Sequence, residues 1–248
     1  MHLVDYLTIY SGLALELLLL WRVGKARLFK HYPFFSSYFL YTFVRSFVLF
    51  FLFALHSRAF VTIYWPSNLI GAFLWFAIVW EVFRQTFPRD SRLRRVAAEI
   101  FVGVLLLLAL VFYLSGPQLV GHPVSEFMRK VGLSVAVSVL TILGLARYFR
   151  VSLGRNLWGM AVGILALASS YIANFAAIDL SPAIRPLWSR IGPLAFLLML
   201  SIWVVTLWSY DPNPKPVASD VPAHEQARSF WEKRWAAIGT TIRRAVKP

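Results

Sequence analysis

Seven stretches of predominantly apolar residues follow one another along the chain, at Leu3 to Trp21, Phe34 to Leu55, Val61 to Phe83, Val96 to Gly116, Glu126 to Ala146, Leu157 to Ile178 and Leu187 to Ser209. Each holds about 20 residues, enough for a helix to cross a hydrocarbon core of about 30 Å. A lipid-exposed backbone must satisfy its own hydrogen bonds, which leaves helices and closed barrels, and the alternating pattern of barrel strands is absent. The sequence therefore predicts an all-α, polytopic membrane protein: a bundle of seven transmembrane helices over residues 1–210 and a basic tail over 211–248. Composition agrees, since 59% of residues are hydrophobic against about 45–50% in soluble domains.

Basic residues set the expected threading. The connections after spans one, three and five carry Arg22, Lys25, Arg27, Lys30, then Arg84, Arg89, Arg92, Arg94, Arg95, then Arg147, Arg150, Arg155. The other side carries only Arg58, Arg129, Lys130, Arg185 and Arg190. By the positive-inside rule the N-terminus is outside and the tail cytoplasmic. The net charge of +14 is thereby read as topology and not as a nucleic-acid surface. The first span has its positive charges behind it, the reverse of a signal peptide, and is expected to be retained. The chain has no cysteine and no Asn-x-Ser/Thr acceptor, which points to a bacterial inner membrane.

Several function classes find no support. A retinal Schiff base requires a lysine inside the last span, and "PLAFLLMLSIWVVTLWSY" has none. Span three ends in "WEVFRQTF", without the acid-Arg-Tyr triplet of heptahelical receptors. The five histidines are scattered, no two at i, i+4, so neither a zinc protease site nor a bis-histidine haem clamp is encoded. No nucleophile, base and orienter are placed together. The chain is expected to be non-enzymatic, with no cofactor and no bound metal.

One charge interrupts the pattern. Arg45 stands near the middle of span two, where a guanidinium costs several kcal/mol at least, by order of magnitude, unless something offsets it. Tyr38 and Tyr41 lie on its stripe at helical spacing. Glu16, the only acid well inside span one, is the expected counter-charge: its Cα lies about 8 Å shallower than that of Arg45, and the two side chains lean toward each other. An intramembrane polar cluster of Glu16, Tyr38, Tyr41 and Arg45 is the principal candidate site. Such a pair either fixes the register of two spans or serves a relay or a ligand.

Four lesser features complete the reading. Gly159, Gly163, Ser170 and Asn174 share one face of span six, a small-residue surface for helix packing, with the last two as candidate pocket groups. Glu81 with Arg84, and Glu99 with Arg95, are spaced for local pairs near the membrane surface. Asn68 and Gly71 follow Pro66 in span three, where a bend opens room for a cavity. In the tail, Asp220 and Pro222 open an amphipathic helix in which Trp231 and Trp235 belong to an apolar stripe, and Lys233, Arg234, Arg243 and Arg244 carry the charge for anionic inner-leaflet lipid. The expected function is that of a sensor, scaffold or membrane-complex subunit working through its basic cytoplasmic face on a protein partner. The alternative is a transporter or a lipid or small-molecule binding protein using the Glu16/Arg45 region.

Overall fold

The computed structural model describes the backbone of residues 3–55, 59–87, 92–114, 123–180 and 185–211. The tail, with Trp231, Lys233, Arg234, Trp235, Arg243 and Arg244, lies outside the described residues, as does the side chain of Asn174. The described residues form eight helices and no strand: α1 (Leu3–Lys25), α2 (Leu28–His31), α3 (Pro33–Ala54), α4 (Ala59–Thr86), α5 (Arg92–Leu114), α6 (Pro123–Tyr148), α7 (Arg155–Leu180) and α8 (Arg185–Thr206). Six are long and apolar enough to cross a membrane, namely α1 and α3 to α7. The seventh expected span corresponds to α8, whose described apolar part, Ile191–Thr206, is shorter.

Helices α1, α4, α6 and α7 run past the C-terminal ends of their apolar windows, whereas α3, α5 and α8 stop one to three residues short. α1 carries Arg22 and Lys25 in its last turn, where cations favour the negative end of the helix dipole. α2, a single turn not foreseen from sequence, separates α1 from α3; it starts after Arg27, held at φ 51°. Pro33 then opens α3, a position where its missing N–H is no loss. At the end of α6, Arg150 adopts φ 53°, and Val151 N bonds Ala146 O at 2.8 Å while Arg150 N bonds Arg147 O at 3.2 Å. This is a Schellman stop with arginine where glycine is usual.

α3 and α4 form an antiparallel hairpin; α7 packs along α6 and α8, α8 along α1, and α1 against α3. α4 touches α3, α6 and α7, burying Trp75, Ile78, Val79, Val82 and Phe83. α5 leans mainly on α6 and leaves Val102, Leu106, Leu107, Leu110 and Val111 exposed, the surface expected of a helix that faces lipid.

The basic end of the bundle is densely built. Leu28, Phe35, Phe87, Leu157, Met160, Trp203 and Leu207 are fully buried there. Polar groups close the same end. Glu81 of α4, fully buried, accepts the N–H groups of Phe34 and Phe35 at 3.3 and 2.7 Å, capping α3 from a neighbouring helix, and Arg84 stands 3.8 Å from it. The local pair expected from sequence is present but secondary to the cap. The Arg95–Glu99 pair, at 3.2 Å, is local and solvent-facing.

Candidate functional site

Pro66 lies inside α4, and proline cannot donate the N–H that would hold the preceding turn. The two residues that follow it carry the polar side chains of this region. Ser67 Oγ and Asn68 Nδ2 both donate back to Tyr64 O, at 2.7 and 3.0 Å, which fixes their remaining oxygens for use by α3.

Arg45 uses them. Its Nε donates to Ser67 Oγ at 2.9 Å and its Nη2 to Asn68 Oδ1 at 2.8 Å, with the guanidinium carbon 5.6 Å from the centre of the Tyr64 ring. Tyr41, one turn earlier, donates its hydroxyl to Ser67 O at 2.6 Å. A turn before that, the hydroxyl of buried Tyr38 accepts Trp75 Nε1 at 3.2 Å. Every direct hydrogen-bond partner of Arg45 is neutral, and among the described residues no carboxylate stands within 4.0 Å of it.

The expected Glu16/Arg45 ion pair is not formed. Glu16 is 1% exposed and accepts Ser46 Oγ at 3.1 Å through Oε1, while Oε2 has no hydrogen-bond partner among the described residues. Arg45 and Ser46 are consecutive on α3, and consecutive helical residues point about 100° apart. One therefore reaches α4 and the other α1. Tyr38, Tyr41 and Arg45 are brought together as a cluster, and Glu16 belongs to a separate contact on another side of the same helix. Arg45 remains within electrostatic reach of Glu16.

A cavity of about 50 Å³ lies beside Arg45 in the interior of the bundle and is partly open. α3 contributes Tyr38, Tyr41, Thr42 and Arg45 to its wall; α4 contributes Ser67, Asn68, Gly71, Ala72 and Trp75. Met128 of α6, Leu167 and Tyr171 of α7 and Phe196 of α8 close the other side. The chamber is thus amphipathic, polar toward α3 and α4 and apolar opposite. Tyr171 packs edge-on against Trp75 at 5.3 Å.

The face of α7 noted from sequence is divided. A Cβ built on Gly159 would fall 1.9 Å from Thr206 Oγ1, and one on Gly163 would fall 2.3 Å from Trp203 Nε1, so both glycines are sites of close approach between α7 and α8. Ser170 turns its hydroxyl onto Leu167 O of its own helix at 2.7 Å and does not line the chamber. Sequence reasoning passed over Ser46, Ser67, Trp75 and Tyr171 and gave Asn68 little weight. The available signal was depth: residues equally distant from the α3–α4 turn face each other in a hairpin. Among the described residues no cluster of three or more metal-ligating side chains occurs. No protein-family model, curated protein or solved structure matches the chain, so function has to be read from the chemistry of this site.

Proposed function

We propose that this is a non-enzymatic, multi-pass membrane protein that binds a small molecule within the bilayer at the Arg45 chamber and acts as a sensor or as a subunit of a membrane complex. The observation that carries this reading is an arginine bonded only to neutral groups beside an amphipathic cavity. Intramembrane charges are costly, and they ordinarily mark ligand or ion sites. A purely structural arginine is better offset by a nearby acid, and Glu16 is instead engaged by Ser46. The site draws on five helices, so occupancy has a direct mechanical route to the basic end, where Glu81 ties α4 to the start of α3.

The finer membrane arrangement belongs to the same proposal. α8 is the seventh span: its 22 residues reach about 33 Å at the helical rise, and it packs between α1 and α7. The N-terminus is outside and the basic end cytoplasmic, in a bacterial inner membrane, by the distribution of lysine and arginine. The tail docks on anionic inner-leaflet lipid, and the basic face presents itself to a protein partner.

The binding reading is tested by filling the chamber. Gly71→Leu places bulk beside Tyr41, whose ring lies 3.9 Å from the Cβ position. Native mass spectrometry and a small-solute thermal-shift panel on the detergent-purified protein should find ligands in the wild type that the filled variant does not hold. A wild type that no solute stabilises, and that shows no bound mass, would sink the reading. Topology is tested separately by cysteines: one at Ser91 should resist an impermeant thiol reagent in intact cells while one at Ser57 reacts, and the reverse pattern would invert the threading.

A further inference from the structure

Arginine offers five N–H donors. Arg45 spends two, on Ser67 and Asn68, and the remaining three, including both on Nη1, make no hydrogen bond to a described residue. Arg45 lines the chamber, and its charge is not neutralised by any directly bonded group. No acidic residue is among those lining it.

We propose that the Arg45 chamber takes a small monocarboxylate, its carboxylate on the free edge of the guanidinium and its short hydrocarbon end against Met128, Leu167 and Phe196. This assignment rests on the reading of the chamber as a binding site and names what it binds. Charge comes first. An anion supplies the compensation that Ser67 and Asn68, being neutral, cannot, and planar two-oxygen groups match the guanidinium fork. Size comes second. A water requires about 10–15 Å³ of cavity, so about 50 Å³ suits a group of a few heavy atoms and is too small to enclose a fatty-acyl chain. The wall comes third: the apolar side favours a ligand with a hydrocarbon end over an inorganic anion.

The probe is radiolabelled butyrate, measured by equilibrium dialysis against the full-length protein in neutral detergent. Unlabelled butyrate should compete, whereas butyramide and butylamine, of the same size without the negative charge, should compete at least tenfold less well. Phosphate and chloride at equal ionic strength should leave butyrate bound, and dodecanoate should gain nothing from its longer chain. Arg45→Gln should lower affinity at least tenfold, in line with the loss of charge-assisted hydrogen bonds.

Because Arg45→Gln also removes part of the α3–α4 contact, the decisive variant is Asn68→Asp. It keeps the shape of the side chain and places a carboxylate where Arg45 already bonds at 2.8 Å. The variant gives up the Asn68 donation to Tyr64 O in exchange for a built-in counter-charge to Arg45, so it should still fold, checked by its melting temperature, and fail to bind butyrate. Asn68→Asp binding butyrate like the wild type would overturn the proposal. Equal competition by butyramide would overturn the anion assignment while leaving a binding chamber in place, and preference for dodecanoate would assign the site to lipid. Failure of all solutes to bind would remove both the assignment and the binding reading.

Discussion

Arg45 and Asn68 are joined by a hydrogen bond of 2.8 Å and stand equally far along the chain from the point between residues 56 and 57. The same symmetry relates Tyr38 to Trp75, whose side chains are bonded at 3.2 Å, and Phe53 to Phe60, whose rings meet at 5.9 Å. One register thus runs the length of the α3–α4 hairpin. Hydrogen bonds at two levels, with ring packing near the turn, specify it.

The first prediction concerns this register. Asn68→Ala removes one partner of a charged group inside the bundle and should destabilise the protein by about 1–3 kcal/mol in a denaturing-detergent titration. A double-mutant cycle on Arg45 and Asn68 should give a coupling larger than the cycle on Arg45 and Glu16, because only the former pair is bonded. The opposite order would restore Glu16 as the principal partner of Arg45.

Glu81 gives the second. Its two oxygens accept the N–H groups of Phe34 and Phe35, donors that the start of any helix leaves without intrahelical partners. Glu81→Leu leaves both without this acceptor, the Phe35 N–H in a buried setting and the Phe34 N–H in a part-buried one, and should cost about 1–3 kcal/mol; Glu81→Gln keeps an acceptor and should cost less. Arg84 is 3.8 Å away and partly exposed, so Arg84→Ala should cost no more than about 1 kcal/mol. Equal losses for Arg84→Ala and Glu81→Leu would show that the ion pair, and not the cap, holds α4 to α3.

The third separates crowded from open glycines. Gly163→Ala gains helix propensity, worth about 0.5–1 kcal/mol, but forces Cβ to within 2.3 Å of Trp203 Nε1. Trp203 is fully buried against Phe35 and Phe39 and has little room to yield. Overpacking of this kind costs about 1–3 kcal/mol, so the net change should be a loss. Gly103 and Gly144 have nothing within 4 Å of the Cβ position, and their alanine variants should be neutral or slightly more stable. A Gly163→Ala protein that melts no lower than Gly144→Ala would mean that α7 and α8 are not in close contact.

The apolar windows made the helices legible, because lipid demands length and hydrophobicity of each span separately. Pairing was harder. Opposite charge alone pairs Arg45 with Glu16, yet Ser67 and Asn68 are closer in register and Ser46 takes the acid. Hairpin symmetry about the short α3–α4 turn is readable from residue numbers alone and points to Asn68 and Trp75. The α1–α3 contact has no such shortcut, since α2 and its left-handed Arg27 break the simple count of depth. The chamber draws on helices distant in sequence, and no local pattern announces that Tyr171 or Phe196 will face Arg45.

The last prediction concerns how the ends of α7 and α8 hold one another. Asn156 is fully buried; its Nδ2 donates to Thr206 O and Ser209 O at 3.0 and 2.9 Å, and its Oδ1 accepts the N–H of Asp211. Asp211 in turn accepts the N–H of Arg155 at 3.2 Å. One side chain thereby satisfies carbonyls at the end of α8 and the segment after it, and the segment it fixes returns a carboxylate to the start of α7, where negative charge suits the dipole. Asn156→Leu keeps the branched shape and the number of heavy atoms but removes all three bonds, and should cost about 1–3 kcal/mol with faster hydrogen exchange at Leu207 and Asp211. Asp211→Ala removes only the exposed acceptor and its charge, worth about 0.3–1 kcal/mol. A larger loss from Asp211→Ala than from Asn156→Leu would place the clasp in the carboxylate and leave the buried amide as a spectator.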